Sequence, residues 1–371
     1  MKIGLFSPGA VSLKLGAVKN RIELAESLTK LGWEATVLAN LEIGLTSTKV
    51  DRDVYRNALK EYLIKNAHLY DVVLLEYDTL PFDRTLFSKS TLFVGRPALL
   101  SFHFDTIKIP FKLKTKISNF IRGIDKKRKA NYHNINKSLN LFDLIQVQNK
   151  MDKACLISRG YSEDKIVIIP NGISENRFEL FKTAEQNSAV KNGIAFVGTF
   201  DFRKGAMDFP YIVNQIVKSN PEAEFKFLGT KGMFATKDEV LAFFPEKHHK
   251  YIKIFPTFEP LELPNLLGDC KVGMFPSYIE SFGFGALEMM AAGLPVVGYN
   301  SPGPCDFLLE DLKMPIGDKA SIAHKIIKLL NDKNYYSVIK GQVSEKVKGY
   351  RWDLIAKEAS NNYVQHKEKL N

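Results

Sequence analysis

The feature that most constrains the fold of this chain is an alternation of short β-rich runs with longer amphipathic segments. The first run, KIGLF (2–6), precedes a segment at 16–33 whose apolar residues recur at spacings of three and four, as on one face of a helix. Further strands are predicted at 34–39, 71–77, 97–103, 143–149, 193–198, 223–229, 271–277 and 295–299. Because parallel strands need a crossover between them, usually a helix, this alternation predicts parallel α/β sheets.

A polar, small-residue stretch at 183–193 reads as a linker or surface loop between two such βα series. At 371 residues, the chain is also long for a single hydrophobic core. We therefore predict two doubly wound domains, at residues 1–172 and 173–351. Ligands of such folds bind beyond the carboxyl ends of the strands, so two facing domains would place a cleft between them.

Composition excludes several classes of protein. The three cysteines lack Cys-x-x-Cys spacing, which argues against a disulfide framework or a zinc site, and we assign no metal site. The apolar run at the N-terminus is too short for a signal peptide, and no window approaches the ~20 apolar residues of a membrane span. We therefore expect a cytoplasmic protein, soluble or peripheral on the inner face of the membrane. The net charge of +11 suits anionic partners without choosing among them.

Two glutamates, Glu280 and Glu288, stand in the otherwise apolar stretch SYIESFGFGALEMMAAGLPVVGY. A buried carboxylate is costly unless something pairs with it, so these glutamates either reach solvent or face a polar ligand. The pattern predicts a helix that begins near Phe284 and stops at Gly293. Glu280 then lies on the loop before the helix, and Glu288 lies within it.

The backbone between the two glutamates is a candidate anion site. The first N–H groups of a helix lack internal partners, and the dipole is positive there. Gly283 and Gly285 would let this backbone approach a ligand closely. Two carboxylates beside bare amides suit a ligand with both hydroxyls and phosphate, such as a sugar nucleotide. The alternative is one capping and one solvated glutamate.

The segment FVGTFDFRKG (196–205) offers cations for a diphosphate. Gly198 follows a predicted strand, and Arg203 and Lys204 follow shortly after. Lysine and arginine are the usual partners of phosphate charge. The alternative is a solvated basic turn.

Taken in order, these motifs resemble the retaining nucleotide-sugar glycosyltransferases of the GT-B fold, specifically glycosyltransferase family four. The matching segments are LGAVKNRIELAESLTKLGWEATVLA, DLIQVQNKMDKACLISRGYSEDKIVIIPNGISENRF, FVGTFDFRKG, PSYIESFGFGALEMMAAGLPVV and MPIGDKASIAHKIIKLLND. The resemblance implies two Rossmann-like domains facing across a cleft, an acceptor-binding domain at 1–172 and a donor-binding domain at 173–351. We expect the C-terminal helix at about 352–371 to pack back on the first domain.

The resemblance also implies the roles of individual residues. Among catalytic groups, Glu280 would contact the donor sugar, Lys204 would neutralise the leaving diphosphate, and His103 would lie near the sugar and the acceptor. The alternative interpretation of His103 is a structural role, in which it only forms hydrogen bonds within the fold. Donor-binding roles are implied for Glu288 at the ribose, Gly16 near the phosphates, Arg203, Gly198 and the backbone of Phe282, Gly283 and Phe284.

The chain departs from the family pattern at three positions. Leu15 precedes Gly16 where the family often has a Gly-Gly pair, and Asp306 stands where it often has Glu. Thr199 replaces an arginine of the lysine loop, and Arg203 could substitute for it.

The implied activity is sugar transfer, with retention, from a UDP- or GDP-type donor to an acceptor hydroxyl. It fits the synthesis of cell-surface polysaccharide, glycolipid or glycoconjugate by a hexosyltransferase-type enzyme, without a cofactor or an obligatory metal. Two alternatives stay open: a sugar-nucleotide epimerase or phosphorylase-like enzyme on the same scaffold, and a non-catalytic sugar-nucleotide-binding subunit.

The segment at 107–137 is basic and interleaved with apolar residues, with Asp125 as its single acid. A basic amphipathic stretch can lie on an anionic membrane surface. This fits a saccharide or lipid-linked acceptor, and the alternative is a solvated basic loop and helix. No recognisable nucleic-acid module accompanies the lysines, so we expect no nucleic-acid partner.

Overall fold

The computed structural model describes residues 1–11, 16–186 and 192–370. Contacts within the chain divide it into two compact units. The first unit comprises Met1–Ser101, Ser118–Gly172 and Trp352–Asn371, and the second comprises Phe102–Ile117 and Ile173–Arg351. The predicted boundary at residue 172 therefore coincides with a division between the units.

The first unit contains a parallel sheet with the strand order β2-β1-β3-β4-β5-β6. Its strands are β1 (Lys2–Phe6), β2 (Glu34–Leu38), β3 (Val72–Glu76), β4 (Leu92–Arg96), β5 (Leu144–Val147) and β6 (Ile166–Ile168). Its helices are α1 (Gly16–Lys30), α2 (Arg52–Asn66), α4 (Ile124–Leu141), α5 (Lys150–Ile157) and α13 (Trp352–Glu368), while α3 (Leu113–Ile121) runs across the division.

The C-terminal helix α13 belongs to the core of the first unit. Its apolar residues share a buried cluster with α1 and strands β1, β3 and β4. The indole N–H of Trp352 donates to Glu23 Oε2 at 2.8 Å, and that of Trp33 donates to Ser360 Oγ at 3.0 Å. The first bond joins α13 to α1 and the second joins α13 to the turn after α1, so both buried indoles have partners for their N–H groups.

The second unit contains a parallel sheet with the order β12-β11-β10-β7-β8-β9. Its strands are β7 (Gly193–Val197), β8 (Glu224–Leu228), β9 (Ile252–Phe255), β10 (Cys270–Phe275), β11 (Val296–Tyr299) and β12 (Lys313–Met314). Its helices are α6 (Glu175–Gln186), α7 (Phe209–Ser219), α8 (Lys237–Leu241), α9 (Leu263–Leu267), α10 (Phe284–Ala291), α11 (Lys319–Asn331) and α12 (Lys333–Lys348).

The strand order of the second unit reverses between β7 and its neighbour β10. This is the Rossmann order, and a crevice forms at such a switch point because the loops after the two strands lead away in opposite directions. The two loops that follow β7 and β10 carry the basic segment 198–204 and the glutamate Glu280. Both sheets confirm the predicted parallel α/β fold class.

Four sequence predictions need correction. The strand predicted at 97–103 lies at Leu92–Arg96, because Pro97 cannot donate to a sheet ladder, and His103 sits in a short 3-10 turn at 101–105. Helix α6 runs to Gln186 into the predicted linker, whose residues 187–191 lie outside the described part of the chain. Strands β6, β9 and β12 were not among the predicted strands.

The fourth correction concerns residues 102–117, which group with the second unit and not with the first. The ring of Phe111 packs 5.1 Å from that of Phe202, and the Lys112 ammonium lies 3.4 Å from the centre of the Phe243 ring. An aromatic contact and a cation–π contact therefore attach this segment to the second unit.

Candidate functional site

Three charged side chains meet where β7 and β10 end. Lys204 Nζ lies 2.6 Å from Glu280 Oε1, and Arg203 Nη1 lies 3.3 Å from Glu280 Oε2. Arg203 Nη1 also donates to the carbonyl of Ile279 at 2.7 Å. The Glu280 side chain is only 8% exposed, so its charge depends on these two cations.

The surroundings set the ionisation of Glu280. Burial by itself raises the pKa of this carboxyl, but the charges of Lys204 and Arg203 and the hydrogen bond from Lys204 outweigh burial and hold the pKa below its ordinary value. Glu280 is therefore a carboxylate at neutral pH. In that state it only accepts hydrogen bonds, as a partner of sugar hydroxyls must.

The loop after β7 is ordered by a side-chain cap. Asp201 Oδ1 accepts the backbone N–H of Lys204 at 3.0 Å, and the hydroxyl of Thr199 donates to Asp201 Oδ2 at 3.1 Å. These bonds hold residues 202–204 in a 3-10 turn that presents Arg203 and Lys204 side by side. Thr199 thus helps to order the turn, while Arg203 supplies a second cation beside Glu280.

Asp208 ties the β7 loop to the β10 loop. Its Oδ2 accepts the hydroxyls of Tyr278 at 2.6 Å and Tyr299 at 2.8 Å, and the residue is 4% exposed. Tyr278 lies two residues before Glu280, and its N–H donates to the carbonyl of Arg203 at 2.8 Å. The relative position of the cations and Glu280 is therefore set by bonds that run between the two loops.

Helix α10 begins at Phe284, directly after Gly283, whose φ of +92° favours glycine. Its first intrahelical bonds run from the N–H groups of Ala286 and Leu287 to Gly283 O. The N–H groups of Phe284 and Gly285 precede this ladder and lie at the positive end of the helix dipole.

Gly285 has a structural reason for being glycine that differs from the predicted one. A Cβ added at this residue would lie 1.9 Å from the carbonyl oxygen of Val197, the last residue of β7. The residue is small because α10 packs directly onto the end of the strand. The structure thus gives Gly285 a packing requirement, and the interpretation that this glycine lets the backbone approach a ligand stays a prediction.

Glu288 lies on α10 and is paired with Arg177 of α6. Arg177 Nη2 donates to Glu288 Oε1, and both side chains are 11% exposed. A cation therefore compensates the buried carboxylate, and this charged neighbour of Glu288 was not predicted from the sequence.

The remaining predicted residues occupy varied positions. A Cβ added at Gly198 would lie 3.4 Å from Lys204 Nζ, so this glycine borders the charged cluster. The buried ring of Phe282 lies 5.2 Å from that of Phe284. Gly16 begins α1 in the first unit, and the buried His103 lies in the 101–105 turn. The structure thus brings together Gly198, Arg203, Lys204 and Glu280.

Three further residues of this region were missed: Asp201, Asp208 and Arg177. Asp201 had a local signal, since an aspartate three residues before the N–H that it accepts is typical of a cap. No local signal marked Asp208 or Arg177. Their partners Tyr278 and Glu288 lie 70 and 111 residues away along the chain.

Two features are absent from the part of the chain that the structure describes. Among residues 1–11, 16–186 and 192–370, no three His, Cys, Asp or Glu side chains are placed so that they could hold a metal ion. Within the same residues, no helix is both long and apolar enough to cross a membrane.

Residues 178–345 match the family model described as Glycosyl transferases group 1. The capsular polysaccharide biosynthesis glycosyltransferase CapM of Staphylococcus aureus is 25% identical over 209 residues, which cover 53% of this chain and 54% of CapM. The chain spans about half the length of the curated relatives that it matches first. The match covers much of the second unit, which carries Lys204, Glu280 and Glu288, so this unit resembles group 1 glycosyltransferases.

Solved structures resemble the chain over nearly its whole length. Sucrose-phosphate synthase of Thermosynechococcus elongatus superposes with a TM-score of 0.74 at 18% identity, covering 98% of both chains. Alr3699/HepE of Anabaena, solved in complex with UDP and glucose, superposes with a TM-score of 0.66 at 15% identity, covering 98% of this chain and 100% of its own. The chain therefore has the GT-B fold.

Proposed function

We propose that this protein transfers a sugar, with retention, from a nucleotide-diphosphate sugar to an acceptor hydroxyl. The observation that carries the proposal is the cluster of Lys204, Arg203 and Glu280 beside the N-terminus of α10, at the switch point of the second sheet. Two cations and a helix N-terminus favour a diphosphate, while an ionised carboxylate favours sugar hydroxyls. The group 1 family match and the UDP complexes of HepE support the same ligand class.

The chemistry follows from charge development. As the bond between the anomeric carbon and the diphosphate oxygen breaks, negative charge grows on the diphosphate and positive charge on the sugar ring, as in glycoside hydrolysis. Lys204 carries three N–H donors, so it can keep Glu280 as a partner and still donate to the diphosphate. Preorganised donors of this kind often supply the largest catalytic contribution.

We propose that the acceptor attacks from the face that the diphosphate leaves. The acceptor oxygen bonds to the anomeric carbon, and its proton passes to the departing phosphate oxygen. Glu280 accepts hydrogen bonds from the sugar hydroxyls, and Glu288 accepts them from the ribose hydroxyls. Gly16 lies near the phosphates, and His103 lies near the sugar and the acceptor. The acceptor is a saccharide or lipid-linked saccharide handled in the cytoplasm at the inner face of the membrane, and no metal is required.

Donor binding is tested by calorimetry with UDP, GDP and their hexose conjugates. We expect one nucleotide to bind, and we expect Lys204→Gln to weaken it by at least tenfold because a diphosphate contact is lost. The matched control is Lys253→Gln, which removes a half-exposed lysine paired with Glu224 on the strands β8 and β9. Equal affinities of the two variants would refute the diphosphate role of Lys204.

Turnover is tested with the donor so identified and a panel of saccharide and lipid-linked acceptors. We expect nucleotide release only when an acceptor is present, a product whose anomeric configuration by NMR matches the donor, and near-complete loss of transfer in Glu280→Ala. Conversion of the donor without acceptor would instead indicate the epimerase, and release that needs phosphate would indicate the phosphorylase. Donor binding without turnover on any acceptor would favour the non-catalytic subunit.

A further inference from the structure

Helix α3 (Leu113–Ile121) exposes its apolar side chains to solvent. None of its residues is buried. Leu113 is 73% exposed, Ile117 52%, Phe120 87% and Ile121 76%. Single exposed apolar residues are ordinary on a protein surface, but four on one short helix form a patch that calls for a partner.

The four side chains lie on one face. Their spacings of four, three and one place them within about 100° of the helix circumference, at 3.6 residues per turn. On the same geometry, Lys114 and Lys116 flank the two edges of this stripe. An apolar stripe with a lysine at either edge is the pattern of a helix that lies in a membrane interface, where the lysines reach the headgroups.

The charge around the helix is almost purely positive. Asp125 is the single acid of residues 107–137, and it is paired with Arg128 at 2.9 Å. The exposed basic residues at and beside α3 are Lys114, Lys116, Arg122, Lys126, Lys127 and Lys129. Lys112 is committed elsewhere, to the ring of Phe243.

We propose that the α3 stripe, formed by Leu113, Ile117, Phe120 and Ile121, inserts into the surface of a bilayer that contains anionic lipids. A groove on a partner protein fits less well, because lysines are depleted from protein–protein interfaces whereas anionic headgroups attract them. The segment predicted to lie on a membrane was 107–137, and the proposal assigns the membrane contact to helix α3 alone.

The test uses the full chain with vesicles of phosphatidylcholine alone or of phosphatidylcholine with phosphatidylglycerol. We expect cosedimentation with the anionic vesicles that weakens as salt is raised, because surface charges are screened. The variant Phe120→Ser/Ile121→Ser should bind at least tenfold more weakly, since it removes the two most exposed apolar groups of the stripe. Both side chains are already in solvent, so the fold should survive.

Val338→Ser is the matched control, because Val338 is 61% exposed on α12. Lys114→Gln/Lys116→Gln should weaken binding by about fivefold per lysine and flatten the salt dependence. Unchanged affinity of the Phe120→Ser/Ile121→Ser variant, or equal binding to neutral vesicles, would overturn the proposal. So would sedimentation equilibrium showing a dimer that this variant abolishes, since a second copy would then cover the stripe.

Discussion

Replacing Gly285 with alanine should destabilise the second unit by about 2 kcal/mol. The new Cβ would lie 1.9 Å from Val197 O and 2.8 Å from Val197 C, whereas ordinary contact begins near 3.4 Å. The start of α10 and the end of β7 must therefore separate by roughly 1.5 Å, the difference between 3.4 Å and 1.9 Å. Overpacking of a tight interior costs about 1–3 kcal/mol, and a carbonyl oxygen fixed in a sheet cannot rotate away.

The matched control is Gly341→Ala, in the interior of α12. A Cβ added at Gly341 has nothing within 4 Å, so only helix propensity changes. This substitution should stabilise the protein by roughly 0.5–1 kcal/mol, because glycine costs a helix interior about that much relative to alanine. The two Gly→Ala variants should thus change stability in opposite directions.

Urea unfolding can follow each unit separately. Both tryptophans, Trp33 and Trp352, belong to the first unit, so their fluorescence reports on that unit. Cys270 and Cys305 are buried in the second unit, and their reaction with a thiol reagent reports on its opening once Cys155 is replaced by serine. We expect Gly285→Ala to lower the urea midpoint of thiol exposure.

Two results would refute this reasoning about Gly285. A change of less than 0.5 kcal/mol, well under the ~1–3 kcal/mol of overpacking, would mean that α10 is not held against β7 as described. Retained stability with loss of nucleotide binding would instead support the interpretation in which this glycine serves the approach of a ligand.

Three further substitutions test the contacts of the site. Tyr278→Phe should cost about 1.5–3 kcal/mol in urea unfolding, because it removes a hydrogen bond to the charged Asp208, and an unchanged midpoint would show that the tie is weak. Because folding lowers the pKa of Glu280, the unfolded chain binds a proton at this carboxyl more readily than the folded chain does. The stability that the ionised Glu280 gives the folded state is therefore present above the ordinary pKa of 4.5 and is lost as the pH falls below it. The stability difference between wild type and Glu280→Gln should therefore shrink on acidification, and a pH-independent difference would contradict the assigned charge. Arg177→Met should cost roughly 3 kcal/mol by leaving Glu288 buried without its cation, and Arg177→Met/Glu288→Gln should recover part of that loss, whereas additive effects would exclude the pairing.

Local features of the fold were predictable from the sequence because they depend on neighbouring residues. Strand β1 at KIGLF and the start of α10 at Phe284 follow from apolar periodicity and from glycine at the helix boundary. The placement of Glu280 on a loop and Glu288 within a helix follows from the same signals. The strand predicted at 97–103 instead lies at Leu92–Arg96. The apolar run of the sequence continues past Pro97, but a sheet ladder cannot continue there because proline has no N–H to donate.

Features that join distant residues could not be predicted from the pattern. Asp208 and its tyrosine partners look like ordinary polar and aromatic positions until two loops are brought together. Gly285 looked like a glycine for ligand approach alone, and only the position of the Val197 carbonyl shows that packing also requires it.

The sequence by itself determined that this chain forms parallel α/β units and which residue types are available for the proposed diphosphate and sugar. Only the tertiary structure decided that Lys204 meets Glu280 across 76 residues, that Arg177 pairs with Glu288, and that the apolar face of α3 is left in solvent. The physical reason is that periodicity reports which face of an element is buried. Strand order and loop contacts depend on packing between elements that are far apart along the chain.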